Sequence, residues 1–99
     1  MSRKEEMKNA AQSASNVLKI LSHPMRLMLV CSILEGEKSV SMLIEELGIR
    51  QSSVSQHLAK LRDAELVKTR KSGQLVYYSI QDPKVQALIQ TLYEQYCPA

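Results

Sequence analysis

Apolar residues recur along this chain at two periods, a helical one over most of its length and a period of two across residues 66–80. Met7, Ala10, Ala11, Ala14, Val17, Leu18 and Leu21 share one stripe, which predicts a first helix over about residues 4–21. Ser22-His23-Pro24 interrupts it: proline fits the first turn of a new helix, and Ser22 or His23 can sit at its cap. The following segment, MRLMLVCSIL, is apolar on nearly every side, the mark of a central helix enclosed by other elements. Val40, Leu43, Ile44 and Leu47 form a third stripe ending at Gly48, a residue free to take the positive φ found just past a helix end. Val54, Leu58 and Leu61 make a fourth, and Gln51, Ser52, Ser53, Ser55, Gln56 and Lys60 fall off its apolar face.

Beyond Leu66 the pattern alternates. Leu66 to Arg70 and Leu75 to Ile80 are predicted strands flanking Lys71-Ser72-Gly73-Gln74, with Val76, Tyr78 and Ile80 on one face and Leu75, Tyr77 and Ser79 on the other. Asp82-Pro83 restarts a helix, and Val85, Leu88, Ile89, Leu92, Tyr93 and Tyr96 stripe it over about residues 83–97. The expected fold is mainly α with a small β hairpin: a winged helix-turn-helix of order α-α-α-α-β-β-α. Residues 1–99 form one domain, with the recognition helix over about 51–64 and the wing over about 66–80. The stripes of the first and last helices exceed what so small a chain can cover. They predict a two-fold homodimer through those helices, whose recognition helices would match half-sites about 34–36 Å apart.

Composition changes this picture little. With 99 residues, 44% hydrophobic and 23% charged, the chain fits a single globular domain whose core would gain from dimerisation. The net charge of +3 is mild, but its placement is not. Lys60, Arg62, Lys68, Arg70 and Lys71 outnumber Asp63 and Glu65 across the end of the fourth helix and the hairpin, a surplus equal to that of the whole chain. No stretch of about 18 apolar residues occurs, and the polar start lacks the apolar core of a secretion signal, so a cytoplasmic location is expected. There, two cysteines are expected to be thiols with a function, or ordinary buried residues, rather than a permanent bridge. Neither histidine has an evident carboxylate partner and no phosphate loop or nucleophile motif occurs, which argues against an enzyme.

The chemistry of the fourth helix points to double-stranded DNA. Amide side chains pair with adenine edges in a major groove, and hydroxyls reach phosphates or bases. A basic hairpin after such a helix can lie along the phosphate backbone or enter a minor groove. Arg50 at the helix start opposes the macrodipole, a cost that contact with a phosphate would offset. His23 is expected to belong to a cap, and His57 to be structural or in contact with phosphate.

In the order of elements and in the strings LSHPMRLMLV, SSVSQHLAKLRDAELV and KSGQLVYYSI, nearly the whole chain resembles the ArsR family of bacterial repressors. The resemblance implies a dimer that binds operator DNA and releases it when an inducer, often a metal or metalloid, is sensed. It implies that Gln51, Ser52, Ser53, Ser55, Gln56 and His57 belong to the DNA-reading helix, with Lys60 beside it and Arg70, Lys71 and Gly73 in the wing. Arg50 stands where many relatives have a small polar cap. The family's metal sites do not carry over. Its arsenic and cadmium sensors place Cys-x-Cys near the start of the third helix, where this chain has Ser39-Val40-Ser41, and serine does not replace thiolate for a soft metal. Along the last helix, where zinc sensors hold carboxylates and imidazoles, stand Asp82, Lys84 and Gln95, which close no tetrahedral site. No metal or other cofactor is therefore expected.

Cys31 and Cys97 remain, and they resemble the thiol pair of a non-metal subgroup, the persulfide-responsive repressors of the BigR, SqrR and HlyU type. The apolar setting of Cys31 beside Val30, Ile33 and Leu34, and the terminal Tyr-Cys-Pro, add to the likeness. That subgroup implies a pair within one subunit whose oxidation joins the second helix to the fifth and releases DNA, with a reactive sulfur species or another thiol oxidant as inducer. A direct disulfide needs Cα atoms within about 7 Å and extra sulfur atoms span more, so slightly separated thiols would favour sulfane sulfur over peroxide. Two alternatives stand beside this reading: a metal or metalloid sensor using the two thiols with a third ligand, and a winged-helix protein-interaction module with inert cysteines.

Overall fold

The computed structural model describes residues 2–97. Its elements are α1 (Arg3–Leu21), α2 (Pro24–Leu34), β1 (Lys38–Ser39), α3 (Val40–Leu47), α4 (Gln51–Asp63), β2 (Val67–Ser72), β3 (Leu75–Ile80) and α5 (Pro83–Tyr96). The cap residues account for most of these boundaries. Ser39 opens α3 by accepting from the Met42 N–H at 3.3 Å, and Asp82 opens α5 by accepting from the Lys84 N–H at 2.8 Å. Gly48 closes α3 at φ 64°, in the left-handed region that costs glycine little. Pro24 occupies the first turn of α2, with His23 at the N-cap and no side-chain bond from it.

The end of α4 is less expected. Glu65 takes φ 62°, its N–H bonds to the Arg62 carbonyl, and the Leu66 N–H reaches back to the Leu61 carbonyl. This is the paired closure that glycine usually supplies, here made by a glutamate between the buried Leu61 and Leu66. Both leucines, one in the last turn of α4 and one just before β2, belong to the same buried core on either side of the left-handed residue.

Two features of the sheet correct the expectation from the sequence. First, the sheet has three strands in the order β1-β3-β2, because Lys38 and Ser39 pair with Tyr78 and Tyr77. A two-residue strand is too short to carry any alternation. Second, Lys71 and Ser72 belong to β2 rather than to the loop, since Ser72 pairs directly with Leu75. The turn is therefore only Gly73-Gln74, with Gly73 at φ 62°, as a tight two-residue hairpin requires.

Helix α2 runs through the middle and packs on α1, α3, α4, α5 and β3. Leu29, Val30 and Ile33 of α2 meet Leu43, Val54, Leu58, Leu61, Val67 and Ile89 in one core, all buried. The apolar stripe of α4 thus faces the core along its whole length, which turns the polar side of that helix outward. Of the 19 residues of α1 only Leu21 is buried, while Met7 is 60% and Leu18 52% exposed. Among the described residues no single helix is long and apolar enough to cross a membrane.

Candidate DNA interface and thiol pair

Because Val54, Leu58 and Leu61 fix the inner face of α4, the rest of its surface follows from helical geometry. Gln51, Ser52, Ser55, Gln56 and Lys60 are exposed along it, and Ser53 is half-buried. Arg50 is exposed at the N-cap with no side-chain cap bond, so the first N–H groups of α4 have no side-chain acceptor there. Lys60 and Arg62 lie in the last turn, where positive charge suits the helix dipole.

His57 stands apart from these residues. It is half-buried, its Nδ1 accepts from Arg26 Nε at 3.2 Å, and its ring meets that of His23 edge to face with centroids 4.5 Å apart. Arg26 also donates from Nη1 to the Ile20 carbonyl at 3.2 Å, which ties the α1–α2 junction to the underside of α4. Burial, then the charges of His23 and Arg26, pull His57 below the usual histidine range. Neither Arg26 nor the pairing with His23 is visible in the sequence, because these contacts join residues more than thirty positions apart.

In the wing, Lys71 and Gly73 are exposed, whereas Arg70 is engaged. Its guanidinium donates to both Glu37 carboxylate oxygens, at 2.6 and 3.2 Å, and lies over the Tyr77 ring at 5.0 Å from the centroid. Hydrogen bonding to Arg70 holds the Glu37 carboxyl below its ordinary range. The next residue, Lys38 at the start of β1, makes a second ion pair: its Nζ donates to Glu46 at 2.6 Å and to the buried Ser32 hydroxyl at 3.2 Å. Glu37 and Lys38 thus tie the entry to the short strand to β2 on one side and to α2 and α3 on the other.

The two cysteines are both free, Cys31 half-buried on α2 and Cys97 exposed at the C-cap of α5. α2, which carries Cys31, packs on α5, whose C-cap is Cys97, so the two thiols lie on neighbouring elements. Burial pushes the Cys31 thiol above its ordinary value, and the neighbouring Cys97 charge pushes in the same direction. Pro98, the last residue of the Tyr-Cys-Pro string, lies outside the described residues. Among the described residues no three of His, Cys, Asp and Glu gather in a way that could hold a metal ion.

Comparison with known proteins agrees with this layout. The "biofilm growth-associated repressor" of Xylella fastidiosa is 42% identical over 94 residues, which cover 95% of this chain and 82% of that protein. The "transcriptional activator HlyU" of Vibrio cholerae is 40% identical over 95 residues, covering 96% and 88%. The structure of reduced HlyU from Vibrio cholerae superposes with a TM-score of 0.89 at 39% identity, over 95% of this chain and 99% of that one. A family model described as "Bacterial regulatory protein, arsR family" matches residues 23–69, from the N-cap of α2 into β2. With its winged helix-turn-helix fold and relatives of this identity and coverage, the chain belongs to the ArsR family of bacterial regulatory proteins.

Proposed function

We propose that this chain is a dimeric transcriptional repressor that binds operator DNA through α4 and the wing and is released when Cys31 and Cys97 are joined. DNA reading rests on the outward row of Gln51, Ser52, Ser55, Gln56 and Lys60, with Ser53 beside it, flanked by Arg50 and by Lys71 and Gly73 of the wing. Relatives named as a repressor and as a transcriptional activator support regulation of transcription. The observation that supports the sensing step is that Cys31 and Cys97 sit on the packed helices α2 and α5, near enough for the charge of one to act on the other.

The environments divide the chemistry. Cys97 is exposed and meets the oxidant; Cys31, half-buried and hard to ionise, acts second. The Cys97 thiolate attacks the outer sulfur of a small persulfide, R–S–SH, forming Cys97–S–SH while R–S⁻ leaves and takes up a proton. Cys31 then attacks the Cys97 sulfur, the S–S bond breaks, and hydrosulfide departs. Two thiols are oxidised to one bridge and one sulfane sulfur is reduced to sulfide. A bridge from core helix to last helix would shift α5, and a coupling of about 1–3 kcal/mol changes DNA affinity roughly 5- to 150-fold.

The test uses a duplex selected from random sequence by the reduced protein. Persulfide treatment should weaken binding at least about fivefold, and mass spectrometry should find Cys31 linked to Cys97, directly or with added sulfur. Cys31→Ser and Cys97→Ser should bind as reduced protein does and lose the response. A response retained in both variants, or treated protein with no such linkage, overturns the thiol switch.

A further inference from the structure

We propose that His57 is a positioning residue rather than a DNA contact: as a neutral acceptor for Arg26, set edge to face against His23, it seats α4 on the start of α2, so that protonating it weakens DNA binding. The inference rests on α4 being the DNA-reading helix. Its geometry is a three-residue clasp beneath that helix. Arg26 Nε donates to His57 Nδ1 at 3.2 Å, Arg26 Nη1 is anchored to the Ile20 carbonyl at 3.2 Å, and the His23 ring closes on the imidazole at 4.5 Å between centroids.

The acceptor role fixes the tautomer. Nδ1 carries the lone pair, so Nε2 carries the proton in the neutral ring. A second proton from solvent can only go to Nδ1, which then points a donor at the donor of Arg26. The hydrogen bond breaks, and an imidazolium sits beside a guanidinium and His23. Among the described residues these two are the charged or titratable groups that act on His57; α1 contributes the Ile20 carbonyl, and Lys60, three residues further along α4, is exposed. Both neighbours and the partial burial resist the added charge, which lowers the pH at which it arrives. The clasp is therefore intact above the ordinary histidine range and opens as pH falls through the lowered value.

The sign separates this role from a phosphate contact. A histidine that met a phosphate would bind DNA better when protonated, so affinity would rise in acid. Here it should fall. Affinity for a duplex selected by the reduced wild-type protein at pH 7.5 is to be measured at constant ionic strength down to pH 5.5, with His57→Asn alongside, since the Asn carbonyl can take the place of Nδ1. The wild type should weaken by about three- to tenfold, while His57→Asn should match it within about twofold at pH 7.5 and stay flat. In the DNA-free protein, NMR titration of the His57 ring should give a midpoint below the ordinary value of about 6.5. Wild-type affinity that is flat or rises in acid, a slope that persists in His57→Asn, or a midpoint at or above the ordinary value overturns the proposal. Failure to select any duplex overturns the DNA-reading assignment and this proposal with it; selection with a flat profile overturns this proposal alone.

Discussion

Arg50 shows how one side chain can be poor for folding and useful for binding. It occupies the N-cap of α4 without capping it, exposed, with its charge at the positive end of the helix dipole. Serine there would accept from a first-turn N–H and remove the repulsion, a stabilisation of about 0.5–1 kcal/mol. The same substitution would delete a cation from the end of α4 that leads into the outward polar row. Arg50→Ser is therefore expected to raise the melting temperature yet weaken operator binding. The slope of log K against log salt should become shallower by about 0.9 for each phosphate that the arginine had neutralised. Thermal melts and a salt series check both halves, and tighter binding by the serine variant would sink the phosphate role. The conflict at Arg50 could be seen in the sequence, since it needs only the position of a helix start. His57 could not be placed that way: its spacing puts it near the edge of the apolar face, and only the fold shows that Arg26 and His23 wait there.

At the scale of elements, periodicity located all five helices and both long strands, because each has enough residues to repeat a pattern. It failed where an element is too short or a boundary depends on a partner. β1 has two residues and exists because Tyr77 and Tyr78 offer an edge; β2 extends to Ser72 because Leu75 pairs with it. Those additions matter to the wing. Arg70, counted from sequence among the wing's basic residues, is held by Glu37 just before β1 and braced against Tyr77. Both members of the pair are well exposed, so the bond contributes little to stability. Its larger effect is on the field the wing presents, since the carboxylate cancels one cation next to Lys71. Glu37→Gln should leave the fold nearly unchanged while tightening DNA binding about two- to fivefold at low salt and steepening its salt dependence. Weaker binding would mean instead that the pair orients the wing and that freeing Arg70 costs more than the field gains.

For the molecule as a whole, the question is what covers α1. The chain extends 49 Å along its longest axis, and α1 meets the rest of it mainly through its last turns, where Val17, Ile20 and Leu21 reach the core. Met7 and Leu18 are left largely bare, as is Tyr96 at 82% exposed near the far end of α5. A mostly apolar groove of about 700 Å³ runs between α1 and the first turns of α5, lined by Ala10, Ala14, Val17, Leu18, Val85 and Leu88, with Asn9, Ser13, Asp82 and Lys84 also in its walls. An apolar groove beside exposed apolar helix faces is what a self-complementary interface presents, and a two-fold axis would give each copy the same partner surface. The proposed dimerisation through α1 and α5 would also connect the two chemistries. α5 ends at Cys97, so a bridge to Cys31 would act on the elements that set the separation of two α4 helices. A charge placed in that groove would be buried by association but solvated in the monomer. Leu18→Glu, half-exposed in the single chain, should therefore fold with little loss yet sediment as a monomer at concentrations where the wild type is a dimer. Its DNA affinity should fall at least about tenfold, because one head must then bind without the other's help. A Leu18→Glu protein that remains dimeric and binds DNA normally would move the interface away from α1, and the thiol bridge would then need another route to the DNA-reading helices.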